Sequence, residues 1–184
     1  MTYVPIRTAI WDIETDGLLD KLTRVHVLAV RDFERRITHV FRQNDRENSI
    51  EQGLELIENA EVCVGQNILD FDIPALNLCY DGVEIKGRIV DTLVMSRMCF
   101  ANQKDKDFRL FEKGKIEGKL IGSHTLKAWG QRLGYPKGDY LDVKLAEAKE
   151  QGITDPDQQM AFVWATWNQE MEDYCAEGDI NITT

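Results

Sequence analysis

Near the start of the chain, in Ala9-Ile10-Trp11-Asp12-Ile13-Glu14, an apolar strand signal runs straight into two carboxylates one residue apart. Successive side chains of an extended strand point to opposite faces. Asp12 and Glu14 are therefore expected on one face, with Ile13 turned into the core. Two acids side by side at the end of a buried strand repel each other, and a divalent cation with a taste for hard oxygen ligands is the simplest relief. A bare pair of this kind is common on solvated strand ends. The rest of the chain has to decide the matter.

At 184 residues the chain is expected to form one domain, 1–184, large enough for a real core. No apolar run approaches a membrane span, and Met1-Thr2-Tyr3-Val4-Pro5 lacks the basic-then-apolar layout of a signal peptide. Cys63, Cys79, Cys99 and Cys175 are scattered singly, which points to reduced thiols in a cytoplasmic protein and away from a disulfide frame or zinc site. The net charge of −10 argues against nucleic acid at first sight. It is unevenly placed: residues 86–144 hold 13 Lys and Arg against 7 Asp and Glu, a net +6, leaving −16 elsewhere. A basic segment of this kind fits either phosphate contacts or a solvated loop.

Along the chain, Arg24–Asp32 and Ile37–Phe41 read as two strands of a hairpin that pairs with the first strand, joined through Glu34-Arg35-Arg36. Ser49 and Gln52 form a capping box ahead of an amphipathic helix, and Val62–Gly65 is a brief buried strand. Pro74 marks a helix start with Asp72 in its first turn, where the helix dipole favours a negative charge. Ile89-Val90 closes another strand, and Asp91 is expected to cap the helix after it. The pattern from Ala101 to Gly122 reads as a long loop. Ser123 is expected to cap a helix that stops at Gly134, Tyr135–Asp139 to form a second loop, and helices to run over Leu141–Glu150 and from about Gln158 onward. No stop signal precedes Thr184, so the last helix reads as one that more chain or a partner should continue. Strands first, then strand and helix in alternation, then helices, predict an α/β mixed sheet flanked by helices.

Three stretches carry a family resemblance: Asp12-Ile13-Glu14, Asn67 to Phe71-Asp72, and Tyr174 to Asp179. They resemble the three motifs of the ribonuclease-H-like proofreading exonucleases, in the subclass that carries tyrosine. Asp91–Arg97 and Gly122–Gly134 narrow the likeness to the exonuclease domain of phage family A DNA polymerases of the T-seven type. The resemblance implies 3′→5′ removal of nucleoside 5′-monophosphates from single-stranded DNA 3′ ends, with a polymerase domain or subunit as partner and host cytoplasm as setting. It implies two Mg²⁺ or Mn²⁺ ions held by Asp12, Glu14, Asp72 and Asp179, with Tyr174 beside the attacking water. It also implies that Thr15, Leu18, Asn67 and Phe71 bind the terminal nucleotides, with Leu18 as an apolar wedge. A 3′→5′ exoribonuclease and a catalytically silent strand-binding module are the alternatives.

One departure stands out. The tyrosine subclass places three residues between its tyrosine and aspartate, whereas four lie between Tyr174 and Asp179. At about 100° per residue an offset of five leaves the two roughly 140° apart on a regular helix. A one-residue bulge near Gly178, Tyr174 working from the position used by the histidine subclass, or a weakened site would each answer this. The bulge is expected first, because single π turns mark functional sites and glycine permits them. Asp173 and Glu177 are expected to face solvent.

Overall fold

The sheet is assembled from strands whose two faces are sorted by the alternation of β1 (Thr8–Thr15). A computed structural model describes residues 5–184; Met1–Val4, and with them most of the segment read for a signal peptide, lie outside the described residues. β2 (Val25–Asp32) pairs antiparallel with β1, and β3 (Ile37–Arg42) with β2, as the hairpin signal predicts. β4 (Val62–Gly65) and β5 (Arg88–Asp91) then add in parallel on the other side of β1, giving the order β3-β2-β1-β4-β5. Parallel pairing needs crossovers, and α1 (Ile50–Asn59) and α2 (Asp72–Cys79) supply them.

Ala9, Trp11 and Ile13 face the main core with Leu54, Ile57 and Leu76 of α1 and α2. Ile10 faces the other way and packs with Val27, Ala29, Cys175 and Ile180. Asp12 and Glu14 continue the Ile10 face, so the strand aims them at the C-terminal helices. α1 lies close on the sheet because Gly53 has no side chain: a Cβ there would meet Phe41 at 2.6 Å. Its capping box is present as read.

The region read as a loop holds a helix. α3 (Thr92–Cys99) is capped by Asp91 as expected, and α4 (Gln103–Glu112) follows, with a 3₁₀ turn at Gly118–Leu120. The inward stripe of α4 is polar, Gln103 and Asp107, so apolar periodicity could not reveal it. Thr125, not Ser123, caps α5 (Leu126–Leu133), which ends on left-handed Gly134. α6 (Tyr140–Glu150) matches its forecast to within a residue.

The single final helix is corrected to a broken one: α7 (Pro156–Trp164), α8 (Gln169–Asp173), a π turn over Tyr174–Asp179, and α9 (Ile180–Thr183). Tertiary partners explain the break. The Tyr140 hydroxyl donates to the Val163 carbonyl at 3.1 Å, a His26 ring nitrogen bonds the Trp164 carbonyl at 3.0 Å, and Asn168 recaps the chain by accepting from Met171 N–H.

Candidate active site

The carboxylates meet where β1 outruns its parallel neighbour. β4 pairs only with Thr8, Ala9 and Ile10, so the Ile13 N–H lacks a strand partner on that side. Asp72, the first residue of α2, fills the gap: its Oδ1 accepts from Ile13 N–H at 3.2 Å. That one bond fixes the Asp72 carboxylate against the backbone between Asp12 and Glu14. Asp72, Glu14 and Asp179 are buried, and Asp12 is half-buried.

The fourth acid arrives through the π turn. Its hydrogen bonds span five residues instead of four, as in Ile180 N–H to the Cys175 carbonyl. The wider turn brings residues five apart much nearer to one side than the roughly 140° of a regular helix, which narrows the offset between Tyr174 and Asp179. Tyr174 and Asp179 both meet one ammonium group: Lys137 Nζ donates to Asp179 Oδ2 at 2.8 Å and lies 4.3 Å from the centre of the Tyr174 ring. Asp173 and Glu177 face solvent. Cys175, between them in sequence, turns inward and places Sγ 3.4 Å from Asp12 Oδ2.

The charges are heavily uncompensated. Burial pushes Asp12 and Glu14 far above the usual carboxylate range, and the nearby Asp179 charge adds to both. Burial lifts Asp72 to about 7, against the help of its backbone bonds, and lifts Asp179 against the pull of Lys137. Burial opposes the Lys137 charge, but Asp179 and Tyr174 outweigh it and hold the lysine firmly protonated. Burial raises the Tyr174 hydroxyl to about 12, with Lys137 opposing. Asp179 Oδ1 is buried without a hydrogen-bond partner among the described residues. An orphaned carboxylate oxygen beside acids that repel each other fits a cation with hard oxygen preferences. Oxygen atoms of Asp12 and Glu14 and Cys175 Sγ lie within 4.8 Å of one another, a spacing that one ion can bridge.

The other sequence candidates surround this cluster unevenly. Leu18 is 66% exposed in the turn that leaves β1. Asn67 adopts a left-handed backbone, φ +63°, and its N–H goes to Asp91 Oδ1. Phe71, half-buried, immediately precedes α2. The buried Thr15 hydroxyl donates to the Gly17 carbonyl at 2.7 Å, so it braces the turn. An open cleft of about 510 Å³ runs along Tyr174, lined also by Tyr135, Gly138, Tyr140 and Gly178. No sequence signal points to Lys137, a single basic residue in a loop, or to Glu172, a buried acid that Arg42 grips with two nitrogens. A lysine whose partner is 42 residues away leaves no local pattern.

A mixed sheet of this order, with two acids on its central strand and two more brought to them by helical segments, defines a class. A family model of the RNase_H superfamily matches residues 9–120, and the chain belongs to that superfamily. Among individual proteins, it is 34% identical over 178 residues to the DNA-directed DNA polymerase of Enterobacteria phage T3, and 33% identical over 178 residues to that of Escherichia phage T7. Each match covers 94% of this chain and 25% of the relative, so the chain spans about a quarter of the length of these curated relatives. Family and relatives together support a nuclease role. Among the described residues no helix is long and apolar enough to cross a membrane.

Proposed function

We propose that this chain is a metal-dependent 3′→5′ exonuclease that removes nucleoside 5′-monophosphates from DNA 3′ ends, acting as the editing module of a phage-type DNA polymerase. The observation that carries this reading is the π turn, which sets Tyr174 and Asp179 on one lysine beside the Asp12 and Glu14 face. In this reading Asp12, Glu14, Asp72 and Asp179 hold two Mg²⁺ or Mn²⁺ ions. Such ions, when bound, neutralise phosphoryl charge and make a bound water acidic.

The chain's own side chains do the rest. Tyr174, protonated across the working pH range, donates to or accepts from the attacking water and fixes its direction. Lys137 holds Asp179 in place and balances part of the negative field. In this reading Thr15, Leu18, Asn67 and Phe71 contact the terminal nucleotides, with the exposed Leu18 as the apolar wedge and the Thr15 bond to the Gly17 carbonyl bracing the turn that presents it.

The test is Asp12→Ala. Magnesium-dependent release of nucleotides from a strand labelled at its 3′ end should fall by a factor of 10³ or more, the scale of losing a charge-stabilising group and its ion together. Circular dichroism should show the fold intact. Full retained activity sinks the reading.

A further inference from the structure

The π turn brings one more group to the carboxylates than the reading above uses. Cys175 lies inside the turn, one residue after Tyr174, and is fully buried among Ile10, Val27, Ala29 and Ile180. A thiol in such surroundings ordinarily serves as a small apolar filler. This sulfur nevertheless reaches polar atoms: Sγ stands 3.4 Å from Asp12 Oδ2 and 3.6 Å from the Asp12 carbonyl oxygen. With one oxygen each from Asp12 and Glu14 it forms a trio whose members all lie within 4.8 Å of one another.

Those distances are the ones a tetrahedral ion asks of its donors. Zinc holds sulfur at about 2.3 Å and carboxylate oxygen at about 2.0–2.2 Å, so a sulfur and an oxygen on one ion stand about 3.5 Å apart. Cys175 Sγ and Asp12 Oδ2, at 3.4 Å, already meet that separation. A second observation marks the same place as one that wants a ligand. Asp179, only 6% exposed, has Oδ1 buried without a hydrogen-bond partner among the described residues, and its charge acts on Asp12, Glu14 and Cys175 together. Lys137 answers only the other oxygen, Oδ2.

We propose that Cys175 joins Asp12 and Glu14 as a ligand in a site for a thiophilic divalent cation, zinc foremost, laid over the position where the nuclease reading places a hard ion. The proposal rests on that reading only for the carboxylates as metal ligands, and not for the reaction. Binding breaks the S–H bond and forms a sulfur–metal bond; the proton passes to the buffer and no electrons change hands. Softness then sorts the ions. Mg²⁺ gains nothing from sulfur and keeps its octahedral oxygen shell, whereas zinc, cobalt and cadmium gain a strong donor. Cys175 thereby biases a site built largely of oxygen toward ions that carboxylates alone would hold less tightly. Cysteine spacing conceals such a site, because only one cysteine takes part and Asp12 is 163 residues away.

Cobalt is the probe, because a thiolate bound to it gives a near-ultraviolet charge-transfer band that carboxylates do not. The full chain, stripped of metal and kept reduced with a phosphine, is titrated with Co²⁺. The band should grow to a single equivalent, be erased by Zn²⁺ and persist in a large excess of Mg²⁺. Cys175→Ser should lose the band and bind Zn²⁺ about 100-fold more weakly, since even the partners behind metal ligands are worth about 10–100-fold. Cys79→Ser with Cys99→Ser, which removes the half-buried and the exposed thiol, should keep it. One measurement needs no variant to fold: zinc-edge X-ray absorption of the parent should show one sulfur at about 2.3 Å among lighter donors. A zinc shell without sulfur overturns the proposal, as does a band that survives in Cys175→Ser. A band without release of nucleotides from DNA in Mg²⁺ sinks the nuclease reading alone, and release without the band sinks this proposal alone.

Discussion

Asp107 and Asp72 are both buried aspartates at a helix, and their surroundings treat them in opposite ways. Asp107 accepts two bonds from the Arg132 guanidinium at 2.9 and 2.7 Å, one from Gly122 N–H and one from Gln103. Burial works against its charge, and these partners outweigh burial and hold its carboxyl below the ordinary value. Asp72 has the Ile13 N–H and three neighbouring acids, and burial lifts it to about 7. The first is a completed ion pair that clamps α4 to α5. The second belongs to a group that the chain's own cations, Lys137 foremost, balance only in part. Burial alone therefore does not mark a functional acid; burial with compensation withheld does.

Arg132 is where the difference between the two aspartates shows most strongly. Arg132→Ala leaves Asp107 buried and unpaired, an arrangement that costs about 3–5 kcal/mol. The melting temperature should fall by on the order of 10 °C at this chain length, with or without metal. A shift of only a degree or two would mean that the Asp107 pair is as dispensable as a surface contact. Lys137→Ala should do less. It removes the ammonium from Asp179, but that carboxyl already leans towards taking a proton and can escape its charge. The expected loss in EDTA is about 1–3 kcal/mol, and added Mn²⁺ should shrink it, since a bound cation would take over part of the lysine's work. An Arg132-sized loss that metal does not relieve would make Lys137 a structural clamp.

Much of this contrast could be read from the sequence, but not its completed half. The strand alternation of β1, the hairpin, the Asp91 cap and the start of α2 follow from neighbours close in sequence, where period and capping chemistry act. The extra residue between Tyr174 and Asp179 was also legible, as a geometric fault with three possible answers of which a one-residue bulge came first; the π turn is that bulge. α4 was hidden because its buried stripe consists of Gln103 and Asp107, and the break after Trp164 because its causes, His26 and Tyr140, lie far away in the chain. Arg132 and Lys137 each act on an acid 25 and 42 residues distant. No local pattern announces a partner at that range.

The third test varies pH. Asp72 has a folded pKa of about 7, above its unfolded value near 4, so between these pH values the native state binds the extra proton. Its contribution is therefore full below about pH 4 and is lost as pH rises through about 7. In EDTA, Asp72→Asn, which keeps the oxygen that accepts from Ile13 N–H, should match the parent near pH 5 and melt higher than it by a few degrees at pH 8. Mn²⁺ at pH 8 should reverse the order by stabilising the parent more. A variant that melts lower at every pH would place Asp72 with Asp107, as a structural acid, and remove the contrast.

The smallest effect on stability is expected at Tyr174, and it separates holding from acting within the site. Tyr174→Phe keeps the ring that Lys137 covers at 4.3 Å and the packing against Tyr140, whose ring centre is 5.6 Å away. It removes only a hydroxyl. Because the ring contacts remain, the melting temperature should move by no more than about 1–2 °C, the scale of a change near 0.5 kcal/mol. Metal-dependent release from DNA 3′ ends should fall by about 10²-fold with little change in KM, as expected when a group that orients water is lost while the binding surface stays intact. A drop in melting temperature as large as that of Lys137→Ala would show that the hydroxyl helps hold the π turn in place. Unchanged release would show that the turn carries Asp179 to the site without needing the tyrosine oxygen, and the fault in spacing would then have been repaired for the aspartate alone.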